Sequence, residues 1–529
     1  QDSGGPLPAE QAAYDVTYYG LDVAVDPEAR RIAGTVDVQA DVRGRLAHLV
    51  LNLDRRLQVD RAWLQGDSTA ALPVERRDND SGPDNEVWIA LPEVARPGDR
   101  VALRIAYSGA PRVAPNAPWD GGVSWERTPS GDHWIATSCQ TLGADVWWPM
   151  KDHPSDEPDS MDIAVTVPHP LRTASNGVLR DVSTTDSTRT DRWHVSTSIN
   201  PYTVALNIAP YARLDTTHTS PDGVSFPVAF YALPSDSSRA ATALPHFLEH
   251  VAFLEETLAP YPFRDDKYGI AQTPFLGMEH QTIIAYGNNF RLNGGLGYSA
   301  GFDALHFHEL AHEWFGNCLT VRDWKDFWLH EGFATYTEAL YAEHLRGSQG
   351  YRTVIQHNAG RMMGTRAIAR TDATSAQSIY SSDVYFKGAL VLHTLRFVLG
   401  DDAFFETLRR FVRGDASEDT LSDTAACRHV TTADFVQIAE GVSGQELDGF
   451  FSVYLYRQEL PRLVTIRDDA ELQIVWRDTG GAPFDVPVPV SVDGTLQRVP
   501  MEGGTGSLAI SPDADVTLDP NGWLLRSGR

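Results

Sequence analysis

The chain has 529 residues, 42% of them apolar and 22% charged, a balance that excludes a disordered or collagen-like polypeptide. No apolar run reaches the ~18 residues a membrane-spanning helix needs, so no transmembrane segment is expected. Lys plus Arg total 44 against 71 Asp plus Glu, and the net charge of −27 repels phosphate backbones and anionic membrane surfaces, so nucleic acid is not expected as a partner.

The first eleven residues, Gln1 to Gln11, are polar, rich in Pro and Gly, and lack an initiator Met. They read as a mature end left after removal of a signal peptide, or as a trimmed chain, and a secreted or periplasmic location is the expectation. From Tyr14 to Tyr211 apolar and polar residues alternate, as in Thr35–Val42, Val101–Tyr107 and Met161–Val167. A period near two, with turn signals at Asp26-Pro27, Arg96-Pro97-Gly98 and Asn176-Gly177, predicts an all-β domain over 1–212. Helical spacing then takes over in Pro245–Leu258, Phe302–Phe315, Phe327–Leu345, Tyr385–Leu399 and Ala403–Val412, with a strand near Val224–Leu233. Gly400 stands where a helix stop belongs, and Asp401-Asp402 are placed to cap the next helix. A mostly helical domain is therefore expected over 213–458. Strands return over 459–529, at Glu471–Trp476, Phe484–Val492 and Gly506–Ile510, as a small antiparallel sandwich.

Composition is skewed within each charge class: the 44 cations include four Lys (Lys151, Lys267, Lys325, Lys387), and the 71 anions include 48 Asp. Salt adaptation and a GC-rich coding sequence explain this equally well. Cys139, Cys318 and Cys427 are too few for a disulfide framework, and an odd count leaves at least one unpaired.

The chemistry concentrates in His308-Glu309-Leu310-Ala311-His312. Positions four apart share a helix face, so both imidazoles can reach one metal ion, with Glu309 beside it as a general base. Chance supplies on the order of 0.02 such matches in a chain of this composition. The longer motif with Gly and a third His is excluded, because Phe315 and Cys318 occupy those positions. A third ligand from a separate helix survives, and Glu331 follows His312 after 18 intervening residues. Two imidazoles and one carboxylate leave a divalent ion a net charge of about +1 and an open coordination position, as a hydrolase requires. His306 and His330 face away from this site. Glu338, two turns beyond Glu331, is placed either to orient a ligand or to face solvent.

His308–Asn317 (HELAHEWFGN) followed by Trp328–Tyr336 (WLHEGFATY) resembles the zinc aminopeptidases of the aminopeptidase N and leukotriene hydrolase family, a gluzincin group. Leu276–His280 (LGMEH) resembles its amine-recognition loop, Tyr380–Arg396 its catalytic-tyrosine segment, and Ser138–Ser155 a segment of its N-terminal β domain that reaches the active site. The resemblance implies a multidomain α+β chain: β saddle, thermolysin-like catalytic domain and immunoglobulin-like β-sandwich, a shortened form without the family's common fourth, helical domain. It implies one zinc ion on His308, His312 and Glu331, Glu309 as general base, and Tyr385 as donor to the oxyanion. It also implies that Glu279 anchors the free α-amino group of a peptide, with Gln140 as second contact. Gly277 would present its backbone to the substrate carbonyl, with Met278 beside it in the binding loop.

Leu276 and His280 depart from the loop's usual Gly and Asn; a protonated His280 would weaken amine binding at acid pH. A thermolysin-like endopeptidase and a non-catalytic binding module are the alternatives. An epoxide hydrolase is not expected, because Gln377 stands where that branch has an Asp. Arg413-Gly414-Asp415, the acidic stretch beginning at Asp78, and Gly294-Gly295 read as chance, solvated hairpin and loop.

Overall fold

The computed structural model describes residues 3–77, 85–291, 296–299, 301–372, 375–414 and 425–528. Asp78–Asp84, Gly294-Gly295 and Asp415 lie outside the described residues.

The alternation read in the first part is realised as side chains pointing to two faces. In strand Tyr14–Asp26, Leu21, Val23 and Val25 are buried while Asp22, Ala24 and Asp26 are exposed. This strand lies inside a seven-stranded sheet, antiparallel to Arg31–Val42 and parallel to Ser160–Pro168. A second, four-stranded sheet contains the hairpin Gly122–Arg127 and His133–Ser138. The end of that hairpin delivers Gln140 towards the catalytic part.

There, Ala212–Thr219 begins a five-stranded sheet whose last strand is the short segment Gly277–Met278, paired on one side with Ile284–Tyr286. Helices Ser237–Thr257, Ala304–Ala311, Trp328–Arg361, Ser382–Leu399 and Asp401–Arg413 follow. Their ends agree with the periodicity reading in some places and differ in others. The His308 helix ends at His312 rather than running to Phe315, because Gly316 takes φ +143° and breaks the ladder. Its residues Ala304–Ala311 are all buried, so its spacing marks no solvent face. The Glu331 helix breaks at Gly347, at φ +60° and ψ −157°, just past the predicted end at Leu345, and a second helix follows to Arg361. That backbone region is open only to glycine. Asp401 and Asp402 lie in the first turn of their helix, after Gly400 at φ +80°, and do not cap it with their side chains.

The C-terminal part forms two three-stranded antiparallel sheets, one including Glu471–Arg477 and one including Val488–Val492. It docks on the Tyr385 helix: Trp523 stacks on His393 with centroids 4.8 Å apart, and the Thr394 hydroxyl donates to the Trp523 carbonyl at 3.0 Å. Cys318 and Cys427 form a disulfide, and Cys139 is a buried free thiol. Three of the four lysines are buried. Lys151 pairs with Asp156, Lys267 donates to the carbonyls of Ser175 and Gly177, and Lys387 donates to the Arg457 carbonyl at 2.7 Å. Lys325 is partly exposed.

Candidate metal centre and substrate cleft

His308 and His312, one turn apart, bring their Nε2 atoms to 3.2 Å from each other. Glu331 reaches across from the next helix and sets Oε2 3.2 Å from one Nε2 and 3.3 Å from the other. All three side chains are buried. The outward Nδ1 of each imidazole is committed as a donor: His308 to the Glu338 carboxylate at 2.8 Å, His312 to the Phe315 carbonyl at 2.9 Å. Both inward nitrogens therefore present lone pairs to one point beside a carboxylate, an arrangement that a cation satisfies and a neutral core does not. The N₂O donor set suits zinc.

Glu309 lies beside the triad, and burial pushes its carboxyl up to about 8 against the pull of both imidazoles. Gly277 runs so close to this carboxylate that a Cβ there would displace the Glu309 side chain. Glu279 is 2% exposed, and Gln140 donates its amide to both Glu279 and Glu331, the latter at 2.7 Å. The turn after Gln140 places Thr141 at φ +62°, a conformation rare for a β-branched residue. Burial, then the nearby Glu331, raises the Glu279 carboxyl, while His312 opposes. Tyr385 stands in the first turn of its helix with its ring against His308, centroids 6.2 Å apart. Burial first, then Glu331, raises its phenol well above the ordinary value, so it stays a proton donor. These residues, with Leu276 and Met278, line a cavity of about 560 Å³.

The expectation for His280 is corrected. The ring is fully buried, and desolvation lowers it to about 3, so it carries no charge beside Glu279 at acid pH. His306 is a core residue, stacked 3.6 Å from Phe247 and hydrogen-bonded to His250 and Tyr268. His330 accepts from the Val321 amide and faces away from the triad. Glu338 takes the orienting position at 2% exposure and also accepts the Tyr298 hydroxyl.

Three contributors escaped the sequence reading: Tyr298; Tyr380, whose hydroxyl lies 3.3 Å from that of Tyr385; and Asp383. The Asp383 carboxylate accepts the backbone N–H groups of Met363, Gly364 and Thr365 at 2.8–3.0 Å, tying the first turn of the Tyr385 helix to the end of the Glu331 helix. An Asp two residues before the tyrosine was its only signal.

Two imidazoles from one helix and a carboxylate from the next, with a buried glutamate alongside, define a metallopeptidase-type site of the gluzincin kind. Residues 15–202 match the Peptidase M1 N-terminal domain and residues 246–454 the Peptidase family M1 domain; the chain belongs to the M1 peptidase family. Over 179 residues it is 29% identical to aminopeptidase N of Homo sapiens, covering 31% of this chain and 18% of that protein. Over 364 residues it is 27% identical to aminopeptidase N of Streptomyces lividans, covering 59% and 41% respectively. The chain thus spans less than half the length of these curated relatives. A mutant of the M1 zinc metallopeptidase of Deinococcus radiodurans, bound to a Tyr-Ser-Ala substrate, superposes with a TM-score of 0.68 at 24% identity, covering 85% of this chain and 96% of that one.

Proposed function

We propose that this chain is a zinc-dependent aminopeptidase that releases the amino-terminal residue of peptides. The observation that carries this reading is the buried Glu279 carboxylate, held by Gln140 next to the metal triad. A desolvated carboxylate needs a cationic partner, and a substrate's free α-ammonium supplies one. Zinc held by His308, His312 and Glu331 would supply Lewis acidity to the scissile carbonyl.

Glu309, buried alongside the triad, accepts the proton of the attacking water as a carboxylate and returns it to the leaving amine. Tyr385 donates its hydroxyl to the developing oxyanion without adding a charge of its own. The one-sided pairing of Gly277–Met278 leaves an edge for an extended substrate backbone, with Gly277 nearest the scissile carbonyl. The Cys318–Cys427 disulfide supports an oxidising compartment, hence a secreted or periplasmic protein. No helix among the described residues is long and apolar enough to cross a membrane.

Removing one partner of a desolvated charge pair costs about 2–5 kcal/mol, or roughly 30- to 5000-fold. Glu279→Ala is expected to lower kcat/KM by that range on peptides with a free amino terminus, and the parent to reject the same peptides once acetylated. Equal parent rates on free and acetylated peptides would replace this reading with an endopeptidase.

A further inference from the structure

The cleft extends past the metal triad, and its far part is built by the reversal at Gly347. After that residue a second helix returns along the Glu331 helix, and the Tyr336 and Tyr351 hydroxyls, 3.1 Å apart, tie the two together. The returning half sets His357, Asn358 and Arg361 into the lining of the cleft that holds Thr335 and Glu338.

Three polar groups line the cleft there without hydrogen-bond or ion-pair partners among the described residues, the exposed Arg361 and two buried groups on Asn358 and Ser382. Arg361 has no ion pair among the described residues, in a chain with 71 acidic side chains; its guanidinium lies over the Phe386 ring, 5.7 Å from the centroid. Asn358 is 1% exposed, and neither its side-chain oxygen nor its nitrogen has a hydrogen-bond partner among the described residues. The buried Ser382 hydroxyl is likewise unpaired. Buried polar atoms left unpaired are rare and call for a ligand. A guanidinium, an amide nitrogen and a hydroxyl all donate, and a planar guanidinium matches a carboxylate best.

The place of this cluster says which carboxylate. His308 touches Glu331 through Nε2 and Glu338 through Nδ1, opposite edges of one ring. On the Nε2 side, Glu331 leads through Gln140 to Glu279, the amine anchor. The Nδ1 side leads through Glu338 to Tyr298 and the wall shared with His357 and Arg361. Glu279 and Arg361 line the same cleft as the triad, so a peptide whose amine sits at Glu279 has the wall that holds Arg361 open to its leaving portion.

We propose that Arg361, with Asn358 and Ser382, binds the C-terminal carboxylate of short peptides. The cleft then engages its substrate at both ends and selects short chains with a free carboxylate. This inference rests on the aminopeptidase reading, since it takes the amine end as fixed by Glu279.

The test uses zinc-loaded protein and matched di-, tri- and pentapeptides, each as free acid and as C-terminal amide, with an aminoacyl anilide that has no carboxylate. The parent is expected to prefer the acid form of the short peptides by about 10- to 100-fold in kcat/KM, the range for a hydrogen bond to a charged group. The preference should vanish at five residues. In Arg361→Ala the acid-to-amide ratio should fall to about one, and Arg361→Lys, which keeps the charge, should restore part of it. Taking the ratio within each variant cancels any general loss of activity. An acid-to-amide ratio near one in the parent, or one that Arg361→Ala does not change, overturns the inference while anilide turnover leaves the aminopeptidase reading standing. If neither anilide nor peptide is hydrolysed, that reading falls. Calorimetric titration with the same acid and amide pair then decides the subsite by itself: tighter binding of the acid that Arg361→Ala abolishes supports it, and equal binding refutes it.

Discussion

Glu338 offers the sharpest test of how the metal site is tuned. Its carboxylate receives the Nδ1–H of His308 at 2.8 Å, whereas the equivalent proton of His312 goes to a backbone carbonyl at 2.9 Å. One imidazole is thus made more basic by a charge and the other only oriented by a dipole. Glu338→Gln keeps an acceptor of the same shape and removes the charge, converting the first arrangement into the second. Such changes typically lower metal affinity 10- to 100-fold, about 1.4–2.7 kcal/mol. Glu338→Ala goes further. It leaves the His308 Nδ1–H buried without a partner, adding about 1–3 kcal/mol, and frees the Tyr298 hydroxyl as well. The expected order of zinc affinity is parent, then Gln about 10-fold weaker, then Ala at least 100-fold weaker. Competition with a chelator of known affinity, with metal content measured directly, reads this order. Zinc dissociation constants that agree within twofold across all three proteins would refute the reasoning.

The Cys318–Cys427 bridge joins residues 109 apart, and a closed loop near 100 residues constrains the unfolded chain by up to about 4.7 kcal/mol. Replacing both cysteines (Cys318→Ala, Cys427→Ser) should lower the unfolding free energy of the catalytic part by about 2–5 kcal/mol in a denaturant titration; an unchanged midpoint would count against the bridge. A Cβ at Gly347 would meet nothing within 4 Å, so Gly347→Ala strains the backbone alone, by about 1–3 kcal/mol, and a variant more stable than the parent would show that the helix does not reverse there. His280 stays neutral in the folded protein, its value lowered to about 3, while an unfolded histidine takes a proton below about 6.5. The unfolded state then binds more protons, and this site removes about 1.4 kcal/mol of stability per pH unit as pH falls from about 6.5 towards 3. His280→Asn should flatten the pH dependence of unfolding by that slope, and identical slopes for the two proteins between pH 5 and 6 would exclude the effect.

What could be read from the residues follows the range of the interactions that place them. His308, Glu309 and His312 were legible because a helix turn alone makes them neighbours. Gln140 and Glu279 emerged through motifs, since they come from different sheets and meet only in the folded cleft. Glu338 stood undecided between ligand support and solvent, as helical phase fixes a direction but not what packs there. One helix end failed where a glycine dihedral governed it, at Gly316, and the second helix beyond Gly347 was not read, which hid Asn358 and Arg361 in the cleft. His280 misled because its charge depends on burial, which composition does not reveal.

The placement of the lysines makes the molecule nearly blind to amine-directed reagents while folded. Lys325 is the accessible lysine; Lys151, Lys267 and Lys387 are sealed inside. Acylation at those three then reports opening of the chain, and it does so by region: Lys151 for the β domain, Lys267 for the sheet beneath the Leu276–His280 loop, and Lys387 for the helix carrying Tyr385. Covalent labelling followed by peptide mapping would turn a shortage of one residue type into a site-resolved clock of unfolding.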